Sequence, residues 1–114
     1  MADTIKFPFG AANTANVMTA TGAQAFTIVD SLTIIDGVTT EATGNRSIAL
    51  TLSSELVTGA ILIVQSKSNG AETLTFGTGI TSAVSTGVAG KTINQSFIYN
   101  GTAFVAMGAE QQID

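Results

Sequence analysis

Glycine spacing limits this chain more than any other feature. Twelve glycines run from Gly10 to Gly108, and no two successive ones enclose more than 14 residues. A helical bundle needs long uninterrupted apolar faces, and glycine is unfavourable inside a helix, so a bundle has no room to form. Between the glycines, apolar residues alternate with Thr and Ser at a period of two. That is the pattern of strands with one face inward and one outward. The expectation is an all-β fold.

Individual segments sharpen it. Ile48, Leu50 and Leu52 alternate with Ser47, Ala49, Thr51 and Ser53, which predicts a half-buried strand. ETLTF places Leu74 and Phe76 inward between Thr73 and Thr75, after a turn at Asn69-Gly70. In AFTIVDSLTIID, Phe26, Ile28, Leu32 and Ile34 are expected on one face and Thr27 and Thr33 on the other. Asp30 falls in phase with the apolar set, so a break or bulge is expected near it. GAILIVQS does not alternate and predicts a central strand covered on both faces. SSELV has room for one helical turn capped by Ser53 or Ser54, and Ile80 to Gly90 is a Ser/Ala/Gly-rich connection. No fixed-period repeat is present, which favours a sandwich over a solenoid.

The strongest local signal is FIYNGTAFV, Phe97 to Val105. An Asn-Gly pair between alternating runs favours a two-residue type I′ turn, whose twist matches that of the strands. With Asn100 and Gly101 as the turn, Tyr99 lies opposite Thr102, and Phe97 opposite Phe104 as an aromatic cross-strand pair. Ile98 and Val105 take the other face. The hairpin therefore offers apolar surface both to a core and to a neighbouring subunit.

Residues 1–23 read as an N-terminal arm or peripheral strand, and residues 24–114 as a single antiparallel β-sandwich or jelly-roll-like domain. Pro8, between two phenylalanines, favours extended backbone. Phe7 and Phe9 are the candidate interface anchors.

Only 11% of the residues are charged, against about 25% in an average soluble protein. A surface of Thr, Ser, Asn and Ala desolvates readily and suits a subunit held in an assembly. The net charge is −4 and the only cations are Lys6, Arg46, Lys67 and Lys91. Nucleic acid is not an expected partner, because phosphate binding needs clustered cations. Apolar runs such as Ala60 to Val64 fall far short of the roughly 18 residues of a spanning helix, so no membrane partner is expected. MADTIKFPFG has no basic stretch leading into a long apolar one and does not read as a secretory signal.

Histidine and cysteine are both absent. That removes the usual neutral-pH general base, every Ser-His or Cys-His nucleophile and all thiolate metal sites. Asp30, Asp36, Glu41, Glu55 and Glu72 stand on separate segments, mostly beside turn residues, and do not form a glycosidase-like pair. DSLTIIDGVTTE lacks the acidic spacing of a calcium loop, and no helix follows the glycines of TFGTGIT to make a phosphate cradle. The expectation is a protein that is not an enzyme, with no catalytic residue, metal or cofactor.

FIYNGTAFVAMG resembles the terminal segment of many tailed-phage virion domains, where an aromatic strand ends in Tyr-Asp/Asn-Gly-Thr and continues into an aromatic residue. LTLSSELVTGAILIVQSKSNGAETLTFGTGI is similar to the Thr/Gly-rich β domains of phage head fibres, capsid decoration proteins and fibre tips. The likeness covers about the C-terminal two thirds, and the Trp common after the turn is Phe104 here. It implies a virion structural protein on the capsid surface, a decoration or auxiliary capsid protein that stabilises the phage head through apolar subunit contacts. The implied partners are further copies in a homotrimer and the major capsid or another virion protein. The alternatives are a receptor- or glycan-binding fibre-tip module and a non-viral surface or pilus-type subunit.

Overall fold

A computed structural model describes residues 16–114. The chain shuttles between two sheets. β1 (Asn16–Val17), β3 (Leu32–Ala42), β5 (Ile61–Ser68) and β7 (Ile80–Thr81) belong to the larger, while β2 (Gly22–Ile28), β4 (Arg46–Leu52), β6 (Thr73–Phe76) and β8 (Ser85–Thr86) form the smaller. β9 (Thr92–Tyr99), β10 (Phe104–Ala106) and β11 (Gln111–Gln112) then all join the larger sheet. Its order is β1-β3-β5-β9-β10-β7, with β11 also paired to β9.

The first four excursions through the opposite sheet, from β1 to β3, β2 to β4, β3 to β5 and β4 to β6, each return the chain beside its previous strand and in the same direction, whereas β8 returns beside β6 antiparallel. β1, β3 and β5 therefore pair in parallel, as do β2, β4 and β6. Parallel neighbours usually need a helical crossover. Here a strand of the facing sheet serves instead. The β9–β10 hairpin is inserted between β5 and β7, antiparallel to β5 and parallel to β7.

The expected all-β class and two packed sheets are present, but the expected antiparallel pairing is corrected: five of the nine strand pairings are parallel. The winding left no repeat in the sequence because its coils differ in length. Asn16 pairs with Ile35, 19 residues on, but Leu32 with Ile61, 29 on. In the smaller sheet the steps are 24, from Gly22 to Arg46, and 28, from Arg46 to Leu74.

The core lies between the sheets. Ile28, Ile48, Leu50 and Leu74 of the smaller meet Ile35, Leu62, Val64, Phe97 and Phe104 of the larger. Phe76 and Phe97 touch across the layers, edge to face, with centroids 5.2 Å apart. Burying side chains of this size contributes about 1.5–3 kcal/mol each, so this layer dominates stability. Residues 16–23 are part of the body. β1 edges the larger sheet, and Met18, 1% exposed, sits in the core.

β4 and β6 face as their alternation predicts. β3 does not. Thr33 and Ile35 are buried, whereas Leu32 and Ile34 point outward, because Thr33 pairs with Leu62 and Ile35 with Val64. A shift of one residue exchanges the two faces of a strand. The break at residues 29–31 carries the chain from one sheet to the other, so the phase set by Phe26 and Ile28 does not continue past it. At SSELV the Ser53 carbonyl accepts from Leu56 N and its Oγ from Glu55 N, both at 3.1 Å, which makes a turn without a helix.

Candidate interaction surface

The hairpin singled out in the sequence is present with a different register. Tyr99 pairs with Phe104, Ile98 with Val105 and Phe97 with Ala106, leaving a four-residue loop from Asn100 to Ala103. A type I′ turn needs positive φ at both central residues, yet only Gly101 has it, at +100°. Asn100 instead uses its side chain: Oδ1 accepts from Thr102 N and Ala103 N at 2.9 Å each, which stabilises the longer loop. The aromatic pair is accordingly Tyr99 with Phe104, centroids 5.4 Å apart, rather than Phe97 with Phe104. A displacement of two residues leaves faces unchanged. Phe97 and Phe104 are fully buried, and Ile98 and Val105 lie half-buried on the outside. Phe7 and Phe9 lie outside the described residues.

The registers of the larger sheet arrange its outward side chains in rows across the strands. Leu32, Ile61, Ile98 and Val105 make one row, ending at Thr81. Ile34, Ile63 and Ser96 make the next. The third is polar, with Val17, Asp36, Gln65, Asn94 and Gln111, and is tied by a hydrogen bond from Gln65 Nε2 to Asn94 Oδ1 at 3.3 Å. Beyond it stand Lys67, 3.9 Å from Glu41, and Thr92, which holds Asp114. Along the strands the face therefore passes from aliphatic to amide to charged. The first two rows contain no charged side chain, and Ile34 is 50% exposed.

This corrects the expectation for GAILIVQS. β5 is central, but within one chain only Leu62, Val64, Ser66 and Ser68 are buried, while Ile61 and Ile63 on its other side stay partly open. The apolar character of both faces was legible. Among the described residues the second face stays partly open.

The polar feature that the sequence concealed is Arg46. It opens β4 and is 2% exposed, with its guanidinium donating to Thr19 O, Thr40 O, Gly37 O and Lys67 O at 3.1–3.4 Å and to Ser66 Oγ at 2.8 Å. These acceptors lie before β2, in β3 and in β5, so one side chain of the smaller sheet binds the larger. Gly37 leaves the space: a Cβ there would fall 2.7 Å from Gln65 O and collide with the Met18 methyl. Burial lowers the Arg46 pKa, and the Glu72 carboxylate opposes that shift. Every partner is a carbonyl or hydroxyl, which makes this a structural clamp.

The carboxylates do not converge. Asp36 is absorbed in its own turn, accepting from Thr39 Oγ1, Thr39 N and Val38 N, and the Thr39 hydroxyl is the main reason its pKa is lowered. Glu72 accepts from Gly70 N, and Glu110 from Ser85 Oγ. Among the described residues no three acidic side chains cluster as a metal site would require. A shallow cleft of about 400 Å³ lies beside β9, lined by Asn94, Gln95, Ser96, Met107, Gly108 and Gln111. Comparison with known protein families, curated proteins and solved structures finds no match.

Proposed function

We propose that this chain is a virion structural protein: a capsid decoration or auxiliary capsid protein that self-associates, as a homotrimer, and binds the phage head through apolar contacts. The observation that carries the proposal is the outer face of the larger sheet, where branched aliphatic side chains from four adjacent strands stand in two rows without a charge. Contiguous apolar surface of this kind marks interaction sites on soluble proteins. The low overall charge and the likeness of the last hairpin to phage virion domains support the same reading. The mechanism is cohesive. Apolar area leaving water contributes about 25 cal/mol per Å², and repetition over a particle multiplies weak contacts into avidity. Phe7 and Phe9 are the side chains offered to the head.

The test is mass spectrometry of washed particles of the phage whose genome encodes the chain, alongside particles whose copy lacks residues 1–15. The full chain is expected in stoichiometric amount and the shortened one is expected to be lost. Absence of the full chain from washed particles overturns the proposal.

The cleft beside β9 favours a second reading, a glycan- or receptor-binding module, because its amide side chains suit a hydroxyl-rich ligand. Retention on a glycan array, abolished by Asn94→Ala, is the outcome that reading requires.

A further inference from the structure

We propose that the aliphatic rows on the larger sheet are covered by the same face of further copies of this chain, so that Ile34, Ile63, Ile98 and Val105 form the centre of a subunit–subunit contact. This deepens the assembly proposal by giving it a surface, and it rests on self-association rather than on the virion.

Three observations single out a copy of the chain as the occupant. The first is size. With strands about 4.8 Å apart and about 3.3 Å per residue, the outward face of β3, β5, β9 and the β10–β11 line offers on the order of 600 Å². Specific interfaces take about 600–1,000 Å² from each partner, so this face, rim included, reaches the lower end of what a self-contact needs. The second is anatomy. Two aliphatic rows bordered by Ser96, Asn94, Gln65 and Asp36 reproduce the apolar centre and polar rim of subunit interfaces. The third is charge. A chain of net charge −4 repels its own copies, and rows one and two bring apolar area together with the absence of charge, whereas the uncharged outside of the smaller sheet carries only Ala and Thr. Sheets stack face to face at about 10 Å when their side chains are branched and interdigitate, and isoleucine and valine at alternate positions do this. Two copies close the contact directly, and three close it around an axis with the same faces inward.

The experiment measures the mass of the purified full chain by native mass spectrometry and light scattering. The wild type is expected at a multiple of the single-chain mass. Ile34→Lys, at a half-exposed position, is expected to fall to the single-chain mass with unchanged circular dichroism. Ala25→Lys, on the outside of the smaller sheet, is expected to keep the multiple. A monomeric wild type, an Ile34→Lys variant that keeps the multiple, or equal loss in both variants overturns the proposal. Should Ile34→Lys not fold, side-chain footprinting of the wild type on dilution decides. Ile34, Ile63, Ile98 and Val105 gain reactivity as the assembly dissociates if the proposal holds, and constant reactivity overturns it. Binding to particles is read separately: a wild type that self-associates but joins no virion sinks only the virion reading, and a monomer that joins virions sinks this contact together with the homotrimer and leaves the virion reading standing.

Discussion

On the outside of the four-stranded sheet the exposed positions carry Ala23, Ala25, Thr27, Ala49, Thr51 and Thr75. On the outside of the larger sheet the first two rows carry Leu32, Ile34, Ile61, Ile63, Ile98 and Val105, with Ile34 exposed and the others half-buried. Both sheets twist around one core and both contain parallel neighbours, so the demands of folding are alike. The smaller sheet demonstrates that this winding accepts small and hydroxyl side chains outside. Branched aliphatic residues outside the other are therefore not needed to make strands, and the self-contact proposed above is what would offset their cost in exposed apolar area.

The sharpest way to break that comparison lies on β9, where neighbouring residues point opposite ways. Phe97→Ala removes a fully buried ring that packs on Phe76, and is expected to destabilise the chain by about 3–5 kcal/mol in urea unfolding. Ile98→Ala is expected to cost less than about 1.5 kcal/mol in the dissociated chain while weakening self-association. Equal losses for the two would mean that the outward face is part of the fold's own core.

These two residues also show what the sequence could carry. Their opposite faces follow from the alternation of FIYNGTAFV and survive a register displaced by two. The displacement itself was illegible because it depends on whether the Asn100 side chain takes two backbone donors, which a dipeptide preference does not determine. In β4 and β6 alternation sufficed, since each strand begins and ends within one sheet. It failed at Leu32 and Ile34, across a corner between sheets. The winding escaped notice because unequal coils of 19 to 29 residues leave no period. Arg46 escaped because Gly-Asn-Arg-Ser has the composition of a solvated turn, and nothing local reveals that four carbonyls and a hydroxyl converge on it.

A second prediction concerns how the two sheets are joined. Arg46→Met keeps the length of the side chain but leaves the carbonyls of Thr19, Gly37, Thr40 and Lys67 and the Ser66 hydroxyl without their donor. Each orphaned buried group costs about 1–3 kcal/mol, offset in part by the lost desolvation of the cation, so a net loss of about 3 kcal/mol is expected in urea unfolding. Arg46→Lys should recover only part of it, because an ammonium has three donors and no planar fork. A variant as stable as the wild type would show that the sheets are held by apolar packing alone.

The smallest expected effect is the response to acid, and it separates the rows of the outer face from one another. Asp36, in the polar row, has its folded pKa lowered, chiefly by the Thr39 hydroxyl and then by the Thr39 amide. A depressed folded value means that the carboxylate's contribution is complete above its unfolded value of 3.8 and is lost as the pH falls through the folded one. The fold should therefore soften on the acid side of pH 4, and Asp36→Asn, which keeps an acceptor oxygen but no charge, should make that decline shallower. The aliphatic rows contain nothing that titrates. Self-association through them should be flat from pH 8 to about pH 5, since no side chain within these rows changes charge. Sedimentation measured across that range checks this, and an association constant that follows a titration curve there would move the contact from the aliphatic rows to the charged end, where Glu41 and Lys67 stand 3.9 Å apart.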